Sequence, residues 1–386
     1  VGARAREGGG VNGPLLVAHP GSDWSTGDLF TGLVPALKRL GVPVVEFPLN
    51  ATLQLSHGYL DLLYRKQKKY GGPLAETRPN SGDVLYHASA QAIERALFFG
   101  CEWVLLMTGM YFSLRVLKML RRAGLKVAVL LTESPYDTSS EFAFAAEADL
   151  CWTTERTAVA PLRLACPRTE YLSHAYDPEK HRPDAPLPED EADIPAHDVV
   201  FVGSGFQERV DLLGAIDWDG IDFGLYGAWR GVGPRHRLRQ HLKGQEVDNA
   251  VAAALYRKAR IGLNLFRSSV GHAGKHAARM HGAESLNPRL LELAACGAFT
   301  VSEWRPEVGE VFGGSVPTFR DAEGLQSLLR EWLPREADRY RRAQSLPGRV
   351  EGRTFDGMAR TVVRDLVKAD ADGEPWAPLE ERLGVA

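Results

Sequence analysis

Short apolar runs rich in β-branched residues alternate with amphipathic stretches along most of this chain. GPLLVAHPG (13–21) reads as a strand ending in a turn, and GLVPALKRLG (32–41) as a helix closed by glycine. VPVVEFPL, EWVLLMTG and LKVAVLLTE read as strands, with helices in SAQAIERALFFG and LRVLKMLRRAG; LCWTT and TEYLSHA are shorter strands. The pattern breaks at PDAPLPEDEADIPAHD (183–198), rich in proline and acid, and then restarts. DVVFVGSG, DFGLYG, IGLNLF and AFTVSE are strands; QERVDLLGAI, DNAVAAALYRKAR, AEGLQSLLREWL and READRYRRAQSL are helices, and RTFDGMARTVVRDLVKA (353–369) is the last. Strands alternating with helices predict βαβ units and parallel sheets with helices on both faces.

The break divides the pattern into two α/β domains joined by a linker, as 386 residues would suggest for chains too long for one core. A net charge of −3 gives no general attraction to nucleic acid or anionic membranes, so any basic surface must be local. Four widely spaced cysteines, with no CxxC, fit a reducing compartment and no structural zinc. The longest apolar stretches fall short of the ~20 residues that span a bilayer. VGARAREGGG lacks the apolar core of a signal peptide and reads as a floppy leader, so a cytoplasmic location is expected.

Ligands of such sheets bind beyond the carboxyl ends of the strands, where strand order reverses. Chemistry is therefore sought at strand ends. In ESLNPRLLELAACGAF (284–299), Asn287 is a good N-cap, Pro288 suits the first helical position and Gly297 the stop. The helix start offers free N–H groups to an anion, and Arg289 adds a planar fork for phosphate oxygens. Glu292, one turn on, could accept both hydroxyls of a ribose; an ordinary Arg–Glu surface pair is the plainer alternative. FVGSGFQER supplies Gly203, Gly205 and Arg209 at a second strand–turn–helix junction. LYGAWRG places Gly227 and Trp229 past a strand, where the ring could stack on a base or simply pack. GLNLFRSS brings Asn264, Arg267 and Ser268 to a strand end.

In the first half, His19, Glu133 and His174 are candidate general bases at strand ends, with Asp23 and Asp137 as acceptor-binding candidates. Arg65, Lys66, Lys68 and Lys69, flanked by Tyr64 and Tyr70, form one basic cluster that could follow a nucleic-acid backbone or be a solvated helix end. The sequence has no G-x-S-x-G, H-E-x-x-H or G-x-x-x-x-G-K-[ST] motif.

Taken in order, LLVAHPG, VLLTESPY, YLSHAYDPEKHRP, VFVGSG, YRKARIGLNLFR, NPRLLELAACGAF and the final RTF helix resemble GT-B glycosyltransferases. The resemblance is to the group 1-type, CgeB-like (spore maturation) branch of actinobacteria and their phages. It implies two Rossmann-like domains facing a central cleft: an acceptor domain over 11–183, a linker over 184–197 and a nucleotide-sugar domain over 198–352. A C-terminal helix and tail over 353–386 would return to the first domain. It further implies that Arg289 binds the donor diphosphate and Glu292 the ribose, with Gly203, Gly205 and Arg209 on the phosphate side. Glu133 or His19 would work at the acceptor.

Glu284 and Glu292 have the E-x7-E spacing of a neighbouring retaining family, but SLNPR replaces the expected glycine-rich segment. DWDG (217–220) reads as a turn, so no metal or other cofactor is expected beyond a UDP-, GDP- or dTDP-sugar co-substrate. The expected activity is transfer of a sugar to a hydroxyl of a protein, a glycan or a modified DNA base, without membrane insertion. A nucleotide-sugar epimerase and a non-catalytic nucleotide-sugar binder are the alternatives.

Overall fold

The computed structural model describes residues 13–21, 27–73, 75–186, 194–244, 247–267 and 282–373. It divides into two compact units, Val1–Leu172 with Asp356–Ala386, and Ser173–Phe355. The division between them falls at Leu172/Ser173, ahead of the expected linker, of which 187–193 lie outside the described residues.

The first unit is built on six parallel strands: β1 (Leu15–His19), β2 (Val44–Pro48), β3 (Trp103–Met107), β4 (Lys126–Leu131), β5 (Leu150–Thr153) and β6 (Thr169–Tyr171). Their order is β2-β1-β3-β4-β5-β6, so the chain reverses its direction of travel between β1 and β3. β1, β3 and β5 are buried along their whole length, which is why they read as unbroken apolar runs: parallel strands are covered on both faces.

Two helices cross between β2 and β3. One, Leu49–Tyr70, was not legible as a helix, because only Leu49, Thr52 and Ser56 of its 22 residues are buried. The other, Ser81–Phe98, starts eight residues ahead of the expected SAQAIERALFFG. Its start is fixed by a capping box: the Asn80 side chain accepts from the N–H groups of Gly82 (2.7 Å) and Asp83 (3.1 Å), and the Asp83 carboxylate accepts from Asn80 N (2.8 Å).

The last helix, Phe355–Asp372, packs on this first sheet. Trp103 and Trp152 are almost fully buried on β3 and β5, and each indole N–H needs an acceptor. The helix provides both, through Asp370 (2.9 Å) and Asp365 (3.0 Å), while Arg39 pairs with Asp356 at 2.6 Å.

The second unit repeats the architecture with β7 (Val199–Val202), β8 (Phe223–Tyr226), β9 (Leu242–Gly244), β10 (Ile261–Asn264), β11 (Thr300–Glu303) and β12 (Thr318–Phe319). All pairs are parallel, in the order β12-β11-β10-β7-β8-β9, and the reversal falls between β7 and β10. Phe201, Phe223, Leu225, Ile261, Leu263 and Val301 form the centre of its core. All four cysteines are buried and free, and among the described residues no helix is long and apolar enough to cross a membrane.

Candidate functional site

The helix opening on Asn287 and Pro288 runs to Ala295, with its N-terminus at the β7/β10 reversal. Asn287 accepts from Leu290 N (3.1 Å) and donates through Nδ2 to Leu265 O (3.2 Å), so the cap also ties the helix to the end of β10. Leu290, Leu291, Leu293 and Ala294 are buried, which holds the helix against the sheet.

Arg289 is anchored from the two strands that flank the reversal. Its Nε donates to Val202 O at the last residue of β7, and its Nη1 to Leu265 O just past β10 at 3.1 Å. The guanidinium lies over the Phe201 ring, 4.5 Å from the centroid. Its remaining nitrogen, Nη2, lies against Gly203, where an added Cβ would come within 2.1 Å of it. Glycine at 203 is thus what lets the fork lie flat across the strand ends.

Two more glycines tighten the same corner. Gly203 N donates to Tyr226 O and Gly205 N to Ala228 O, both at 2.9 Å, which brings the β7 and β8 turns together. Gly227 (φ 111°) sits so close that a Cβ there would meet Gly203 O at 2.3 Å.

Several residues expected to touch a donor are instead part of the scaffold. Trp229 is 5% exposed, donates its indole N–H to Tyr226 O (3.1 Å) and sets its ring edge-on to Phe201, so the ring packs rather than stacking on a base. Arg209 is buried, and its guanidinium donates to Ser204 O, Leu265 O and Phe266 O, holding the β7 turn to the β10 exit. Asn264 is wholly buried and donates to Ser302 Oγ at 2.9 Å, away from the strand end. Arg267 lies over the Phe206 ring at 5.2 Å; Ser268 lies outside the described residues.

Glu292 is 8% exposed, one turn below Arg289. Burial pushes its carboxyl up to about 7, against the opposing pull of Arg289 and Lys180. The surface-pair alternative is therefore excluded for Glu292, which is a buried carboxylate. Glu284 is partly exposed, and its backbone O accepts from Glu307 N (3.3 Å).

A set of charged residues at the end of β11 went unread in the sequence. Glu303 accepts from Phe266 N (2.9 Å), and burial raises its carboxyl. Arg305 donates to Ser285 O and Arg267 O with its guanidinium over Phe266, while Glu307 accepts from Leu286 N (2.7 Å) and Arg353 (2.8 Å). They frame the segment that leads into the Pro288 helix. The run SEWRPE, three charges at and just after the end of a strand, was the signal available.

His174 was expected on the first domain but belongs to the second unit, where burial and Arg305 lower its imidazole to about 4.

In the first unit, His19 ends β1 at the β1/β3 reversal. It is 2% exposed, stacks on Phe30 at 3.8 Å and lies 3.7 Å from Glu46. Burial lowers it to about 4, Glu46 opposing and Lys38 assisting, so the ring is neutral at pH 7. Neither ring nitrogen has a hydrogen-bond partner among the described residues. The loop with Asp23 lies outside the described residues.

Glu133 is partly exposed just past β4, and the turn around it is pinned by buried Glu141, which accepts from Glu133 N (2.7 Å) and Ser134 Oγ. Asp137 caps the helix Thr138–Ala146, accepting from Ser140 N at 3.4 Å. Arg65, Lys66, Lys68 and Lys69 lie on the exposed last turns of the Leu49–Tyr70 helix. Arg65 pairs with Asp61, and Lys68 and Lys69 lie near the Tyr64 and Tyr70 rings. That arrangement is one of a solvated helix end. Among the described residues no three His, Cys, Asp or Glu side chains converge as a metal would require.

Residues 207–361 match the family model described as glycosyl transferase-like. No curated protein matches the sequence significantly. Among solved structures, a sucrose-phosphate synthase from Thermosynechococcus elongatus superposes with a TM-score of 0.68 at 14% identity, over 94% of this chain and 100% of that one. A structure described as trehalose-6-phosphate from E. coli bound with UDP-2-fluoro glucose gives 0.60 at 14% identity, over 92% and 99%. An α,α-trehalose-phosphate synthase (UDP-forming) from Burkholderia xenovorans, in complex with glucose-6-phosphate, gives 0.60 at 12%, over 92% and 100%. The chain has the GT-B fold of these glycosyltransferases, and all but the last six residues of the glycosyl transferase-like match lie in its second unit.

Proposed function

We propose that the protein is a glycosyltransferase that takes a sugar from a nucleoside-diphosphate sugar bound on the second unit and passes it to an acceptor hydroxyl held by the first. The observation that carries this reading is the Arg289 fork. Two of its nitrogens are fixed on Val202 O and Leu265 O and the third lies along a glycine, at a helix N-terminus on the strand-order reversal. Positive charge held there would stabilise the departing diphosphate without rearrangement during the reaction. Glu292 would take the ribose hydroxyls, and Glu133, at the end of β4, is the acceptor-side carboxylate best placed to receive a proton. The motif resemblance to the CgeB-like branch, together with a UDP-2-fluoro glucose complex and a UDP-forming synthase among structures of the same fold, supports the donor class.

The test is incubation with UDP-glucose, GDP-mannose or dTDP-glucose, with and without acceptors, reading nucleoside diphosphate release. A transferase releases it in an acceptor-dependent way. An epimerase changes the donor alone, and a sensor binds without release.

Glu292 gives a pH prediction. Ribose hydroxyls bond best to the ionised carboxylate, and burial holds that group near 7 in the free protein. Ionisation rises from about a tenth at pH 6 to about nine-tenths at pH 8, so donor affinity should strengthen roughly tenfold across that range. Calorimetry with a nucleotide sugar should show this slope, and Glu292→Gln should bind more weakly with the slope gone. A slope that survives Glu292→Gln would remove the residue from the ribose site.

A further inference from the structure

The helices Leu49–Tyr70 and Ser81–Phe98, which connect β2 to β3, flank an open cleft of about 660 Å³. That is the size range of small-molecule sites. Leu53 and Leu60 line it from the first helix, Val84 and Leu85 from the second, and Tyr111 from the loop after β3. The first helix leaves directly from β2 and is buried only through Ser56, so its remaining turns stand off the sheet and leave this space open beside them.

Tyr111 belongs to a short loop after β3 in which both Thr108 (φ 59°) and Tyr111 (φ 67°) adopt left-handed backbone. Such conformations cost energy for residues with a Cβ and tend to gather where a site needs a side chain held in one place. The loop lies at the β1/β3 reversal, and Glu133 is close enough to act electrostatically on the Tyr111 hydroxyl.

The polar features of the cavity argue against an anionic ligand. Arg78 and Arg65 share Asp61, at 3.3 Å and 2.7 Å, and Asp83 in the first turn of the Ser81 helix supplies a second carboxylate, so two arginines are matched by two acids around the space. The helix start at Ser81, which might otherwise attract a phosphate, is occupied by Asn80 and carries the Asp83 carboxylate in its first turn.

We infer that the acceptor is an uncharged alcohol or phenol with a ring-sized apolar body, held between these two helices, rather than a sugar phosphate. This rests on the transferase reading above. In the transfer, the C1–O bond to the diphosphate breaks with its electron pair leaving on the phosphate oxygen. The acceptor oxygen forms the new C1–O bond, and its proton passes to a carboxylate, Glu133 beside Tyr111 in this reading, and on to water.

The test uses the full chain and the fluorescent phenol 4-methylumbelliferone, with glucose 6-phosphate as the charged comparison. Saturable binding of the phenol is expected, at least tenfold weaker in Val84→Trp, which fills the cavity, and in Leu60→Asp, which charges its wall. Leu62→Asp, on an exposed position of the same helix, should leave it unchanged. UDP-glucose, GDP-mannose and dTDP-glucose binding, read separately by thermal shift, should be the same in all four proteins. Binding of glucose 6-phosphate but not the phenol, or undiminished phenol binding in both cavity variants, would overturn the inference. Failure of the parent to bind any of the three nucleotide sugars would instead overturn the transferase reading, whatever the phenol does.

Discussion

Replacing Arg289 by alanine should lower turnover about 10²–10³-fold, the loss expected when a fixed donor to a developing anion is removed. The side chain also donates to Val202 O and Leu265 O; Leu265 O keeps Asn287 and Arg209 as donors, so the variant should lose about 1–3 kcal/mol of stability chiefly through Val202 O. The two effects separate experimentally: melting temperature reports the second, and kcat measured well below the melting range reports the first. Arg289→Lys keeps the charge but not the fork, and a single ammonium cannot reach both carbonyls while also facing Gly203. It should recover part of the donor affinity and little of the rate. Near-normal turnover in Arg289→Ala would show that the diphosphate is held elsewhere.

Gly227→Ala should be the most destabilising single methyl in the second unit. The position combines a φ of 111° with a Cβ site 2.3 Å from Gly203 O, and that neighbour is backbone, which cannot rotate away. Relief requires moving the β7 turn, and with it the Gly203–Arg289 contact. A loss of about 2–4 kcal/mol is expected from strain and displacement together. Because the damage passes through Gly203, donor binding should fall even at temperatures where the variant remains folded. Gly220→Ala is the contrast: its φ is 74°, but its Cβ would meet nothing within 4 Å, so only the backbone strain should register. Thermal melts paired with nucleotide-sugar titration would check both. Equal stability of the two variants would mean that the corner at 203 and 227 relaxes more readily than its packing indicates.

The alternation of the sequence carried most of the fold because parallel strands covered on both faces must be largely apolar: β3 and β7 are so throughout, and β1, β4 and β10 except at one end residue each, His19, Lys126 and Asn264. What escaped were elements whose burial is partial. The helix Leu49–Tyr70 has no full apolar stripe against a core, and the helices Thr138–Ala146 and Pro306–Phe312 are short and defined by their contacts. The Pro288 helix was legible from its cap, its first-turn proline and its stop glycine, which are local chemistry. Glu292 was legible as a position but not as a buried group, since spacing cannot say which neighbours remove its water.

The other donor-side residues show the same limit from the opposite side. Arg209 and Trp229 lie in the right turns, yet tertiary packing commits Arg209 to three carbonyls and Trp229 to the edge of Phe201. An arginine after a glycine-rich turn looks the same in sequence whether it holds a ligand or holds the turn. Glu303, Arg305 and Glu307 work as a frame for the helix start, and their partners are 20 or more residues away along the chain.

The most direct test of where the donor binds is hydrogen exchange of the backbone amides with and without saturating nucleotide sugar, taking UDP-glucose first and then GDP-mannose and dTDP-glucose. Slower exchange is predicted at 203–206 and 287–291, the two segments brought together by Arg289, and the protection should disappear in Arg289→Ala. Saturable binding that leaves both segments unprotected, or the absence of binding by all three nucleotide sugars, would contradict the account.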